Sequence, residues 1–80
     1  MTKVSVLFFG ATADEVGDRE VDLELPENSR AEDALARIVE RFPRLAAHKL
    51  LFAVNQEYAS GAEIIGDGDE LAVFTAVSGG

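Results

Sequence analysis

The amino-acid sequence predicts an α+β domain, a mixed sheet of four to five strands with one main helix packed across one face. Three observations carry that expectation. Two segments near the start alternate with the period of a strand. One mid-chain segment repeats its apolar residues at helical spacing along a single stripe. Short apolar runs separated by turn residues then follow to the end.

Lys3 to Phe9 reads as the first strand, with Val4, Val6 and Phe8 on one face and Ser5, Leu7 and Phe9 on the other. Glu20 to Leu25 alternates more cleanly. Val21, Leu23 and Leu25 oppose Glu20, Asp22 and Glu24, the pattern of a strand with one wet face. Gly10 to Arg19 joins the two as a polar connection in which Ala11 to Val16 is at most a weak helical turn.

The helix follows. Ser29 with Glu32 three residues on has the form of a capping box. Ala31, Ala34, Leu35, Ile38, Val39 and Phe42 make the apolar stripe, and Asp33 and Arg37 stand in favourable i,i+4 order. Pro43 ends it, since its ring denies a backbone donor and disfavours the α conformation at Phe42.

Leu50 to Val54 is apolar throughout, as a strand buried on both faces would be. Asn55-Gln56-Glu57 reads as a turn into a short strand at Tyr58-Ala59. Gly66-Asp67-Gly68-Asp69 is a turn by composition, and Glu70 to Val77 is the last strand. A hairpin, a crossover helix and a strand returning beside the first make the architecture called the β-grasp. One stripe on one helix covers one sheet face, so the other is wet or covered by something else.

Composition excludes several function classes. Eighty residues make one domain, spanning 1–80, with a tail expected at about 77–80. No run approaches the ~20 apolar residues of a membrane span, and the first residues lack a signal-peptide pattern, so a cytoplasmic location is expected. There is no cysteine, which removes disulfides, thiolate metal sites and a cysteine nucleophile. His48 is the single histidine and reads as a surface or helix-end residue. Fifteen acidic against seven basic residues give a net charge of −8, the wrong sign for nucleic acid or an anionic membrane. The last basic residue is Lys49, and Glu57, Glu63, Asp67, Asp69 and Glu70 follow without any offset. That distribution serves solubility, or it favours docking on basic partners.

No P-loop, G-x-G-x-x-G, HExxH or G-x-S-x-G is present. Asp67 and Asp69 are too close and too few for a cation loop, and a tight turn accounts for them. Val77-Ser78-Gly79-Gly80 remains, a diglycine directly after a strand. Lacking Cβ atoms, such an end enters a channel about as narrow as the backbone itself; a frayed tail is the plainer reading. Strand parity sets Leu71, Val73, Thr75 and Val77 against Ala72, Phe74 and Ala76. If the first set meets the helix, Phe74 lies on the open face near Tyr58 and the two form a partner-binding anchor. If the faces are reversed, Phe74 fills the core.

In these residues the chain resembles the small, sulfur-carrying subunit of molybdopterin synthase, related to the thiamin sulfur carrier and more distantly to ubiquitin. The resemblance rests on Ala53-Val54-Asn55-Gln56, Asp67-Gly68-Asp69-Glu70-Leu71-Ala72, Phe74 and Val77-Ser78-Gly79-Gly80. Val6-Leu7-Phe8-Phe9 and Val16-Gly17 match the molybdopterin branch in particular. Two departures are Ala13, where the family commonly has arginine, and Thr75-Ala76, where it has prolines.

The resemblance implies a ubiquitin-like fold and a carrier that is not an enzyme by itself. An ATP-using activating enzyme would adenylate the Gly80 carboxylate, and a sulfur-donating enzyme would convert it to a thiocarboxylate. With Gly79, Ser78 and Val77 threaded into the large catalytic subunit, sulfur would pass to a pyranopterin precursor, in a heterotetramer of two small and two large subunits. No cofactor or metal is expected on the carrier, and neither nucleic acid nor membrane among its partners. Thiamin, tRNA thiolation or amino-acid pathways, and ubiquitin-like protein modification, are the alternatives.

Overall fold

The computed structural model describes residues 1–75. Its elements are β1 (Thr2–Phe8), α1 (Ala11–Val16), β2 (Glu20–Leu25), α2 (Ala31–Arg41), a 3₁₀ helix (Pro43–Ala47), β3 (Leu50–Val54), β4 (Glu57–Tyr58) and β5 (Glu70–Thr75). They form a sheet of order β2-β1-β5-β3-β4, with β1 and β5 parallel and the other neighbours antiparallel. This is the expected mixed sheet. The parallel pair at its centre needs a long crossover, and α2 supplies it.

The core forms where the stripe of α2 meets one face of the sheet. Val4, Val6 and Phe8 of β1, Leu25 of β2, Ala31, Ala34 and Ile38 of α2, and Leu71 and Val73 of β5 are all buried, with Leu45 and Ile65 closing the ends. Phe8 meets Phe42 edge to face, ring centroids 5.8 Å apart. Pro43 ends α2 as expected and opens the 3₁₀ helix, whose Leu45 is fully buried.

Four local readings are corrected. The start of α2 lies one residue later than Ser29 and Glu32 suggest: Arg30 holds the cap position, and Asp33 Oδ2 accepts the Arg30 N–H at 2.8 Å. The reason is tertiary. The carbonyls of Glu63 and Gly61 accept the N–H groups of Ala31 and Glu32, so a serine cap is not needed, and the Ser29 hydroxyl instead donates to the Pro26 carbonyl. Asp33 is thereby committed to the cap, and the close contacts between acidic and basic groups among the described residues are Met1–Glu27 and Glu15–His48, the latter an ion pair only when the imidazole is protonated, not Asp33–Arg37.

β3 is half-buried rather than buried on both faces, with Ala53 alone fully covered, because its outer neighbour β4 is only two residues long. β4 begins at Glu57, since Asn55 and Gln56 both take positive φ (49° and 71°) and make a two-residue turn. The segment 11–16 is a true helix. It is stopped by Gly17 at φ 81°, and Thr12 anchors it. The Thr12 hydroxyl is fully buried, accepts the Phe9 N–H and shares its proton between the carbonyls of Phe9 and Val73.

The Gly66–Asp69 turn is tight, as its composition suggests. Asp67 Oδ1 accepts the Lys3 N–H at 2.8 Å, and Asp69 Oδ2 accepts the Gly66 N–H at 2.7 Å. Asp69 Oδ1 also accepts Asn55 Nδ2 at 3.1 Å, so both carboxylates are spent within the turn and its neighbours. Among the described residues no three acidic or histidine side chains converge as metal ligands.

Candidate functional site

β5 decides what the sheet shows on its uncovered side. Leu71 and Val73 are buried against α2, so Ala72 and Phe74 point the other way. Register carries that face across the sheet. Phe74 lies opposite Leu51, Ala72 opposite both Ala53 and Leu7, and Ala53 opposite Tyr58. Leu7, Ala72, Phe74, Leu51 and Tyr58 therefore share one surface with no helix over it. The Tyr58 and Phe74 rings meet at 63°, centroids 5.8 Å apart. Tyr58 is 81% exposed and Phe9 52%, well above what large apolar groups show in a core.

Beside Phe74 the surface dips into a shallow apolar depression of about 400 Å³, lined by Phe9, Gly10, Ala72, Phe74 and Thr75. It lies where β5 runs out of the sheet. Phe9 and Thr12 fix that point, since the Phe9 N–H and the Thr12 hydroxyl both donate to the Val73 carbonyl, at 3.1 and 2.9 Å. The strand end is held by backbone and a buried hydroxyl, which leaves Phe74 and Thr75 presented on a rigid base.

The rest of the face is acidic. Glu20, Asp22 and Glu24 of β2 stand opposite Leu7, Ser5 and Lys3, and Glu70 stands beside Ser5. Lys3 is the lone cation in these strands on that side. An apolar centre flanked by carboxylates is the surface of a docking site, with anchors in the middle and charges that steer approach.

Glu63 has the displaced titration among the described groups. The N–H of Ser60, its own backbone N–H and that of Gly61 hold its carboxyl down at about 2 from 4.5. It clips the loop over the start of α2, away from the open face, and serves the fold rather than acid–base chemistry.

Of the residues singled out from sequence, Phe74 and Tyr58 are brought together. Val77, Ser78, Gly79 and Gly80 lie outside the described residues. Sequence reasoning set Ala72 on the face of Phe74 but did not name Leu51 or Phe9 as part of it. Parity already put Phe9 with Leu7, but placing Leu51 beside Phe74 needs the β3–β5 register. Thr12 carried no signal, being one small polar residue in a polar connection.

A model of the ThiS family matches residues 6–80. A molybdopterin synthase sulfur carrier subunit of Chlamydomonas reinhardtii is 35% identical over 98% of this chain and 99% of its own length. One of Mycobacterium tuberculosis is 35% identical over the whole of both chains. Among solved structures, molybdopterin converting factor subunit 1 of Pyrococcus furiosus superposes with a TM-score of 0.90 at 30% identity, over 96% of this chain and all of that one. The complex of subunits 1 and 2 of molybdopterin-converting factor from Helicobacter pylori matches at a TM-score of 0.71 and 20% identity, over 99% of this chain and all of that one, a likeness of fold. With a family match over nearly its full length and relatives of the same length at 35% identity, this chain belongs to the ThiS family, in which those relatives are sulfur carrier subunits of molybdopterin synthase.

Proposed function

We propose that this chain is a cytoplasmic sulfur carrier for molybdenum cofactor synthesis, working through the carboxylate of Gly80. The observation that carries the reading is a family match that runs through the terminal diglycine itself, on a body whose sheet leaves an apolar face beside the last strand. A carboxylate is a poor acyl donor, and activation by ATP solves this: the Gly80 oxygen attacks the α-phosphate, pyrophosphate leaves, and an acyl adenylate forms. A sulfur nucleophile from a donor enzyme then attacks the carbonyl carbon and expels AMP. Where that nucleophile is a donor persulfide, a second thiol of the donor attacks the acyl disulfide so formed, is oxidised to a disulfide with the first, and releases Gly80 as the thiocarboxylate. In the large subunit of molybdopterin synthase that sulfur passes to the pyranopterin precursor, and water restores the carboxylate.

The carrier donates, and its partners catalyse. Its own part is to dock and to deliver. Phe74 and Tyr58 anchor the partner, and Thr12 with Phe9 fixes the strand end from which Val77 to Gly80 are delivered. A chain without cysteine offers no competing thiol to the activated intermediate.

The test is intact-mass measurement after incubation with ATP, a sulfur donor and an activating enzyme of this family. Exchange of one oxygen for one sulfur adds about 16 Da, assigned by fragmentation to Gly80. A gain on another residue, or none with an enzyme that charges a related carrier, overturns the reading. An isopeptide-linked product on a lysine would identify a modifier instead.

A further inference from the structure

The face described above leaves one part of the sheet unused, its β2 edge. The Phe8 N–H donates to the Arg19 carbonyl at 2.8 Å, and β1 and β2 keep that register to Thr2–Leu25. In an antiparallel pair the bonded positions alternate, so Val21, Leu23 and Leu25 bond inward to β1. Glu20, Asp22 and Glu24 therefore turn their backbone N–H and C=O outward, and all three are exposed. Among the described residues one of these outward groups has a partner: the Asp22 carbonyl accepts Arg41 Nη1 at 3.2 Å. Arg41 lies over the Phe42 ring at 5.2 Å and reaches across the middle of the edge as a removable cover.

We propose that the β2 edge is a second docking site, which accepts an extended segment of another protein that alternates basic and apolar residues. Charge and parity select the occupant. A strand added to β2 sets every second side chain opposite Glu20, Asp22 and Glu24, where cations are stabilised. The intervening side chains fall on the α2 side, beside half-buried Val21 and Leu23. There a groove of about 350 Å³ between β2 and α2, floored by buried Leu25, has a mixed lining of Pro26 and Ala36 with Asp33, Arg37 and Glu40. A second copy of this chain does not fit. Pairing β2 with β2 would set one acidic stripe against another, with like charges directly opposed. The site shares the Glu20, Asp22 and Glu24 side chains with the acidic flank of the Phe74–Tyr58 surface but adds the outward backbone of β2, which that surface does not use, and it does not rest on the sulfur-carrier reading.

The test uses the full chain and two blocked synthetic peptides, one alternating valine and lysine for six residues, the other three valines followed by three lysines. In an amide-detected NMR titration, the alternating peptide is expected to shift Glu20, Asp22 and Glu24 most and to bind about tenfold more tightly than the block peptide. Combining Glu20→Gln, Asp22→Asn and Glu24→Gln removes that preference. Asp22→Pro, which deletes an outward N–H that β1 does not use, weakens the alternating peptide selectively. Arg41→Ala leaves the bonds between β1 and β2 intact, removes the one to the Asp22 carbonyl, and so raises the ratio of the two affinities. Equal binding of the two peptides, shifts centred on Tyr58 and Phe74, or an unchanged ratio in Arg41→Ala would each overturn the proposal.

Discussion

Phe74 and Tyr58 form an aromatic pair on a face that the fold does not cover, and their energetics follow from that position. Phe74 is half-buried, touches Tyr58 edge to face and lies outside the buried core cluster. Truncating a core phenylalanine costs about 3–5 kcal/mol of stability, whereas an interface anchor costs upwards of about 2 kcal/mol of binding. Phe74→Ala is therefore expected to weaken association with the large subunit proposed as its partner about tenfold or more while the melting temperature moves little. Titration calorimetry and thermal denaturation on this one variant check both halves, and a collapsed melting temperature would return Phe74 to the core. Two-residue parity set Phe74 opposite Leu71 and Val73 in the sequence but left open which set is buried; the fold decides it, since Leu71 and Val73 lie in the core. Thr12 was not legible. Two of its three side-chain hydrogen bonds are to Phe9 nearby, but the third spans 61 residues to Val73, and nothing in Gly10 to Arg19 encodes that contact.

At the scale of elements, long periodic segments were read correctly and boundaries set by tertiary contacts were not. β2 and the stripe of α2 follow from alternation and helical spacing within their own residues. The cap of α2 does not, because its donors are taken by a loop 30 residues further on. The 3₁₀ helix after Pro43 and the full turn of α1 likewise depend on buried contacts at Leu45 and Thr12.

The loop that caps α2 carries a pH signature. The backbone N–H groups of Ser60, Glu63 and Gly61 favour ionised Glu63 and hold it at about 2 against 4.5 unfolded. Its contribution is thus present above about 4.5 and lost as pH falls toward about 2. Melting curves of the wild type and Glu63→Gln are expected to differ at neutral pH and to converge near pH 2, where the protonated acid resembles the amide. A difference unchanged across that window would mean that the clip does not depend on charge.

Across the whole molecule, one strand joins two halves. β5 is the shared neighbour of β1 and β3; without it the sheet separates into the hairpin β1–β2 and the pair β3–β4. Isolated hairpins are marginal in water, and β5 also brings Leu71 and Val73 to the core. A chain ending at Asp69 is expected to lack the far-ultraviolet dichroism and dispersed amide spectrum of the intact protein. A cooperative melt in that truncation would show that the two halves close without their joint. Charge shows the same division between what sequence reveals and what it withholds. The excess of −8 is plain from composition, but that Glu20, Asp22 and Glu24 flank an apolar centre appears only once β2 is set beside β1.

The central place of β5 also bears on how the protein is made. A ribosome delivers the chain from Met1 onward, so the strand that completes the sheet is the last to emerge. Until Thr75 is out, the nascent chain holds only fragments of a sheet, and cellular proteases meet it as an open substrate. A product that stops before β5 lacks the strand that joins the two halves, and it is expected to stay open and to be cleared by proteolysis rather than persist as a compact fragment.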